Sequence, residues 1–183
     1  MVTPAEGTEA ILGFWFDEIG PDRWWTRSAE TDAAIIERFG ELWEAWRSRP
    51  PETFLGSPRE ALAGVILFDQ FSRNMFRGHA DAFSTDPLAL AIAEGAIDRG
   101  LDQAMTTDER SFLYMPFQHS ERLKDQQRSV ALFTALGIAN SLDFARKHHD
   151  MIARYGRFPA RNAALGRPNR PGEEAGIAAS RDW

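Results

Sequence analysis

The stretch Asp69-Gln70-Phe71-Ser72-Arg73-Asn74-Met75-Phe76-Arg77 sets one acid, two amides and two arginines among apolar residues at helical spacing. At about 100° per residue, Asp69, Gln70, Arg73, Asn74 and Arg77 fall within an arc of about 140°. Phe68, Phe71, Ser72, Met75 and Phe76 take the remainder. The segment therefore reads as a helix with one polar stripe. Such a stripe is ordinarily the wet side of an amphipathic helix. A face that is merely solvated, however, is usually filled with Glu, Lys, Gln and Ala, whereas Asp and Asn are poor helix formers that compete for backbone hydrogen bonds. Residue choice thus makes this stripe a candidate wall of a binding site, with the solvated face as the alternative.

Outward from this segment, helix signals run from end to end. Thr3-Pro4 pairs an N-cap with proline at the first helical position and opens a helix through Ile11, Leu12, Trp15 and Phe16 to about Ile19. Ser28 caps a second helix that stops before Pro50-Pro51, and Ser57-Pro58 repeats the cap-then-proline device ahead of Asp69. Thr85-Asp86-Pro87 starts a fourth helix closed by Gly100. Thr107 opens a fifth that Pro116 is expected to end or kink. A sixth is expected from near Ser120 to Gly137 and a seventh from Ser141 to Gly156. Beyond these, the tail over about 167–183 is broken by proline and glycine, with room for a short helix from Glu173 to Arg181. No stretch alternates in the manner of a strand. The reading is a single all-α domain over 1–183, built from about seven to nine helices paired as antiparallel hairpins; periodicity alone leaves bundle and solenoid open.

Composition narrows the function classes. The chain has 183 residues, 43% of them apolar, which suffices for one substantial core. Its net charge of −6 argues against a protein that coats nucleic acid or an anionic membrane. Cysteine is absent, which removes disulfides, thiolate metal sites and cysteine nucleophiles. The N-terminus has no basic start followed by an apolar run, and no stretch approaches the roughly 18 apolar residues of a membrane span, so a soluble cytoplasmic protein is expected. Only Lys124 and Lys147 are lysine among 21 basic residues. Arginine is the better residue for forked binding of carboxylate or phosphate.

Three further segments carry candidate chemistry. In Phe112-Leu113-Tyr114-Met115-Pro116-Phe117-Gln118-His119-Ser120-Glu121, a break at Pro116 would place Gln118, His119 and Glu121 near a helix start, where backbone N–H groups favour an anion. There His119 is a candidate acid, base or ligand, or simply part of a cap. Asp125 and Arg128 lie three apart and read as a surface ion pair. The run from Met151 to Gly172 contains five arginines and no acid, Arg157 among them with Asn162, and follows His148, His149 and Asp150. It suits a carboxylate or phosphate ligand, contact with nucleic acid, or the chain's own Asp69 and Glu121. A metal set from His119, Glu121, His148 and Asp150 lacks the strong helical spacings. Glycine-rich phosphate loops and a GxSxG elbow are also absent, so no metal or cofactor is expected.

These motifs resemble one bacterial family. Leu67 to Arg77, Phe83-Ser84-Thr85-Asp86-Pro87-Leu88-Ala89, Tyr114 to Glu121, Gln127-Arg128-Ser129-Val130 and Arg157-Phe158-Pro159 together are similar to the DUF924 family, whose function is unknown. The resemblance spans Ile11 to about Glu174 and implies a tetratricopeptide-like right-handed helical array. Where many members read Phe-Pro-His-Arg-Asn, this chain has Phe158-Pro159-Ala160-Arg161-Asn162, so a histidine there is not essential in this protein. His149 stands where the family often has arginine, which leaves His148 as the better candidate for a shared role. No catalytic residue or ligand carries over.

Three function classes follow. The leading one is a binding protein whose polar face, drawn from Asp69, Gln70, Arg73, Asn74, Arg77, Gln118, His119, Glu121, Arg128, His148, Arg157 and Asn162, holds an anionic small molecule or peptide. The second is a metal-independent hydrolase or lyase with His119 as acid or base, oriented by Asp69 or Glu121. The third is a structural protein in which these groups form a buried network. Trp15, Trp24, Trp25, Trp43 and Trp46 are expected in the core, and exposure of several would point to a homodimer.

Overall fold

The computed structural model describes residues 3–180, and every regular element among them is helical, with no strand. Helix α1 (Pro4–Leu12) opens with a capping box: Thr3 Oγ1 accepts the Glu6 N–H at 3.3 Å and Glu6 Oε2 accepts the Thr3 N–H at 2.9 Å. It passes directly into a π-helix, Gly13–Ile19. Ser28 caps α2 (Ala29–Trp46) and Ser57 caps α3 (Pro58–Val65), each hydroxyl accepting a backbone N–H at 3.2 Å. A second π-helix, Ile66–Phe71, then leads into the single turn of α4 (Ser72–Met75). The remaining helices are α5 (Asp86–Asp98), α6 (Thr107–His119), α7 (Leu123–Leu136), α8 (Ala139–Tyr155) and α9 (Glu174–Ala179). Of the last expected helix, the end at Arg181 lies outside the described residues.

Two local expectations are corrected. Pro116 does not end α6, which continues to His119. A mid-helix proline costs about 3 kcal/mol, but Phe112, Leu113 and Phe117 around it are all buried, and burying three large apolar side chains outweighs that cost. The start of α5 at Thr85-Asp86-Pro87 is as expected, with the Thr85 hydroxyl donating to the Phe68 carbonyl at 2.7 Å. The expected start of the sixth helix near Ser120 moves to Leu123, because the Ser120 hydroxyl is turned to Asp125 Oδ2 at 2.5 Å.

The chain divides into two compact units, one of residues 1–77 and 81–113, the other of residues 78–80 and 114–183. In the first, α1 packs on α3, α3 on α5 and α2 on α4. Its core is aromatic, with Phe14, Phe39 and Phe71 in mutual ring contact at 4.9–5.8 Å. Trp15, Trp43 and Trp46 are buried there as expected, whereas Trp25 is 65% exposed and stacks flat on Phe112. In the second unit α7 and α8 pack on each other, and a connector of only Gly137 and Ile138 makes them an antiparallel hairpin. Gly137 sits at φ 81°, a left-handed conformation that costs an L residue about 1–2 kcal/mol. Gly137→Ala is accordingly expected to lower stability by about 1 kcal/mol in chemical denaturation; an unchanged midpoint would show that the turn relaxes without cost. No described helix is long and apolar enough to cross a membrane.

Candidate functional site

The stripe from Asp69 to Arg77 does not survive as one face. Because Ile66–Phe71 is a π-helix, with more residues in each turn, its residues advance by a smaller angle than the 100° projection assumes. Asp69 is fully buried, and Arg77 lies past the end of α4. The residues sort into two groups within the first unit. Gln70 Nε2 donates to Asp69 Oδ2 at 2.5 Å, and Arg73 Nη1 lies 3.4 Å from Asp69 Oδ1. Arg73 also forks onto Asp86, with Nη1–Oδ1 at 3.0 Å and Nη2–Oδ2 at 3.1 Å. Burial of Arg73 disfavours its charge, but Asp69 and Asp86 outweigh that and hold the guanidinium above its ordinary pKa. Beneath it the Phe68 carbonyl accepts hydroxyls from Ser72 at 2.6 Å and Thr85 at 2.7 Å.

The second group forms on Asp32, which receives Asn74 Nδ2 at 2.7 Å and Arg77 Nε and Nη2 at 2.5 and 2.8 Å. Partial burial pushes the Asp32 carboxyl up, but the hydrogen bonds from Arg77 and Asn74 hold it below the usual carboxylate range. Arg73 and Arg77 thus already carry carboxylates of this chain. With Asp32, Asp69 and Asp86 against two arginines, the two groups together have an excess of negative charge.

In the second unit the C-terminal end of α6 is the meeting point. Gln118 and His119 stand on its last turn, not at a helix start as the expected break at Pro116 implied, so the carbonyl end of the dipole faces them. The orphan carbonyls there are taken by side chains: Gln126 Nε2 donates to Gln118 O and Ser120 O, both at 2.7 Å, and Arg161 Nη2 donates to His119 O at 2.9 Å. The His119 and His148 rings lie 6.1 Å apart, and His148 also meets the Phe158 ring at 5.4 Å. His148 Nδ1 is 2.8 Å from the Phe144 carbonyl. A carbonyl only accepts, so Nδ1 carries the proton and, in the neutral ring, Nε2 holds the lone pair. Arg161 lies over the Phe158 ring at 4.4 Å and Arg128 over the Phe117 ring at 4.8 Å. Asp125 pairs with Arg122 at 2.6 Å, not with Arg128 as its spacing indicated, because Arg122 ends the extended segment ahead of α7 and reaches back over its first turn.

Two acids organise the arginine-rich run. Glu121 accepts Arg167 Nη1 and Nη2 at 2.7 and 2.9 Å and the Phe158 N–H at 2.8 Å. Burial raises the Glu121 carboxyl, but these bonds from Arg167 and the backbone bring it below its ordinary value. Glu173, 2% exposed, accepts Arg157 Nε and Nη2 at 2.8 and 2.9 Å, Asn162 Nδ2 at 3.0 Å and the Arg170 N–H at 2.9 Å. The Arg157 fork is the main cause that brings Glu173 to about 2. Arg157 and Asn162, read as ligand donors, are therefore committed to an internal carboxylate.

Sequence reasoning overlooked Asp32, Asp86, Gln126 and Glu173, each of which receives side chains singled out above or grips the α6 end. Asp86 looked like a helix opener and Glu173 a tail residue; no spacing signal links either to its arginine. Among the described residues no three of His, Asp and Glu are placed to hold a metal. The first unit carries ten Lys and Arg against twenty Asp and Glu, a net of −10, and the second eleven against seven, a net of +4, together the −6 of the chain.

No match was found among curated proteins. Among solved structures the chain is similar to a protein of unknown function from Agrobacterium tumefaciens, with a TM-score of 0.90 and 39% identity over 97% of this chain and 100% of that one. A family model described as bacterial protein of unknown function matches residues 11–180. With its helical architecture, and a match over nearly its whole length, this chain belongs to the DUF924 family.

Proposed function

We propose that this protein binds a small anionic molecule on its C-terminal unit, around His119, His148, Arg128 and Arg161. The observation that carries this reading is the charge division: a unit of net +4 inside a chain of −6. Such local excess raises the concentration of anions near it and rewards forked carboxylate or phosphate binding. The polar cluster around Asp69 and Arg73 is the weaker candidate, since an anion there would have to displace Asp69 or Asp86 from the guanidinium. Likewise, the cleft of about 260 Å³ beside Glu9, Phe16, Asp17, Arg59 and Glu109 presents three acids, with Arg59 already forked onto Glu9. The tetratricopeptide-like right-handed array implied by the family resemblance belongs to this proposal; the α7–α8 hairpin is in keeping with it. An acidic peptide segment offering the same carboxylates is the other source of ligand.

Thermal-shift titration with inorganic phosphate, citrate and an acidic peptide tests the reading, since a ligand of the native state raises Tm. At a hundredfold excess over Kd the stabilisation is about 2.7 kcal/mol. It is expected to persist in Arg59→Ala, which removes an exposed arginine of the acidic unit, and to fall at least tenfold in affinity in a folded Arg161→Ala variant. No shift with any of these anions, or equal shifts in both variants, would sink the proposal.

Catalysis is the second reading, favoured by one observation: His148, its ring oriented by the Phe144 carbonyl, stands 6.1 Å from the His119 ring, so that two imidazoles meet at one place. Glu121 is too heavily engaged by Arg167 and Phe158 to orient either. Turnover of a bound anion that disappears in His148→Gln while binding persists would support it.

A further inference from the structure

Two buried polar atoms on α7 have no hydrogen-bond partner, Gln126 Oε1 and Ser129 Oγ, and both residues are fully buried. The Gln126 amide cannot be turned to relieve this, because its Nε2 serves the Gln118 and Ser120 carbonyls and a flip would set Oε1 against both. Oε1 is therefore an acceptor held in the interior without a donor. Ser129 is three residues on, the neighbouring position on the same helix face. Buried polar groups almost always have partners, and each exception calls for an explanation. Gln126 adjoins the proposed anion site: it grips the α6 terminus that carries His119, and Arg161 grips the same terminus at the next carbonyl; Ser129 follows Gln126 on α7, the helix that packs on α8 with its His148.

We infer that Gln126 Oε1 and Ser129 Oγ bind a hydroxyl group of the ligand, making the ligand a hydroxylated small anion. A hydroxyl matches the pair in both directions, donating to Oε1 and accepting from the serine O–H. An ammonium would also donate to Oε1, but it would enter a unit already at +4 and offers the serine no acceptor. The inference rests on the proposed anion site and adds to it the ligand's second functional group.

The test is calorimetric titration of the full-length protein with matched anions that differ only by a hydroxyl: lactate and propionate, malate and succinate, glycerol phosphate and propyl phosphate. In at least one pair the hydroxylated member is expected to bind about tenfold or more tightly, since a site built for a hydroxyl leaves polar groups unpaired when it is missing. Ser129→Ala should bring that pair close to parity. It should also leave the ligand-free Tm unchanged or raised, because it deletes a hydroxyl that has no partner. Equal binding within every pair, still lost in Arg161→Ala, would overturn the hydroxyl assignment and leave the anion site standing. A preference that survives Ser129→Ala would overturn it as well. So would a ligand-free Ser129→Ala protein destabilised by several degrees, since the hydroxyl would then be holding an internal water. Absence of binding by all six probes overturns both this inference and the proposed function.

Discussion

Replacing Glu173 by glutamine is expected to lower the Tm at pH 7 on the order of ten degrees, because it strips the charge from a carboxylate that four donors converge on. Arg157 would keep its guanidinium at a buried position with only the Pro168 carbonyl, at 2.8 Å, as an undisturbed acceptor. The effect carries its own pH signature. Glu173 titrates at about 2 in the folded chain against an ordinary value of 4.5. A carboxyl depressed by folding contributes stability that is fully present above the unfolded pKa and is lost as pH falls through the folded one. The gap between wild type and Glu173→Gln should therefore be widest above pH 4.5 and close progressively toward pH 2, as thermal melts across that range will read. A gap of constant size down to pH 2 would mean that glutamine perturbs packing and that charge plays no part.

Asp69→Ala should be of similar size. Asp69 is fully buried, and its loss leaves Arg73 with Asp86 as its remaining carboxylate in a place where burial already disfavours the guanidinium. Removing one member of a buried ion pair typically costs about 3–5 kcal/mol, which in a chain of this size is a Tm loss of roughly 6–20 °C. Arg73→Ala should be comparably costly, since it takes the guanidinium away from the fully buried Asp69 carboxylate. The decisive measurement is the double mutant. If the two act as one unit, removing both should cost well under the sum of the single effects. Strict additivity would show that Asp69 and Arg73 act independently and that the cluster is not the network described here.

Much of the fold is written locally. Thr3, Ser28 and Ser57 are polar residues standing just before helical runs, and each accepts the backbone N–H that its position predicts. Gly137 and Gly156 stop α7 and α8 because a glycine can take the left-handed conformation that turns the chain out of a helix. The errors occur where distant residues intervene. Pro116 has the mark of a helix end, and burial of its neighbours carries the helix through.

The candidate site follows the same division. The sequence by itself determined an all-helical chain, most of the helix starts and stops, the cysteine-free chemistry and a short list of unusual polar residues, because caps, turns and periodicity depend on neighbours within a few positions. Only the tertiary structure decided what those residues do. It turned Arg73, Arg77 and Arg157 from ligand donors into partners of Asp86, Asp32 and Glu173, and it drew His119, His148 and Arg161 together at the end of α6. It also separated a unit of −10 from one of +4 within a chain whose total conceals both. The physical reason is that an ion pair's partner is fixed by distance in space. Residues 13, 16 or 45 positions apart leave no periodic trace of that distance in the chain.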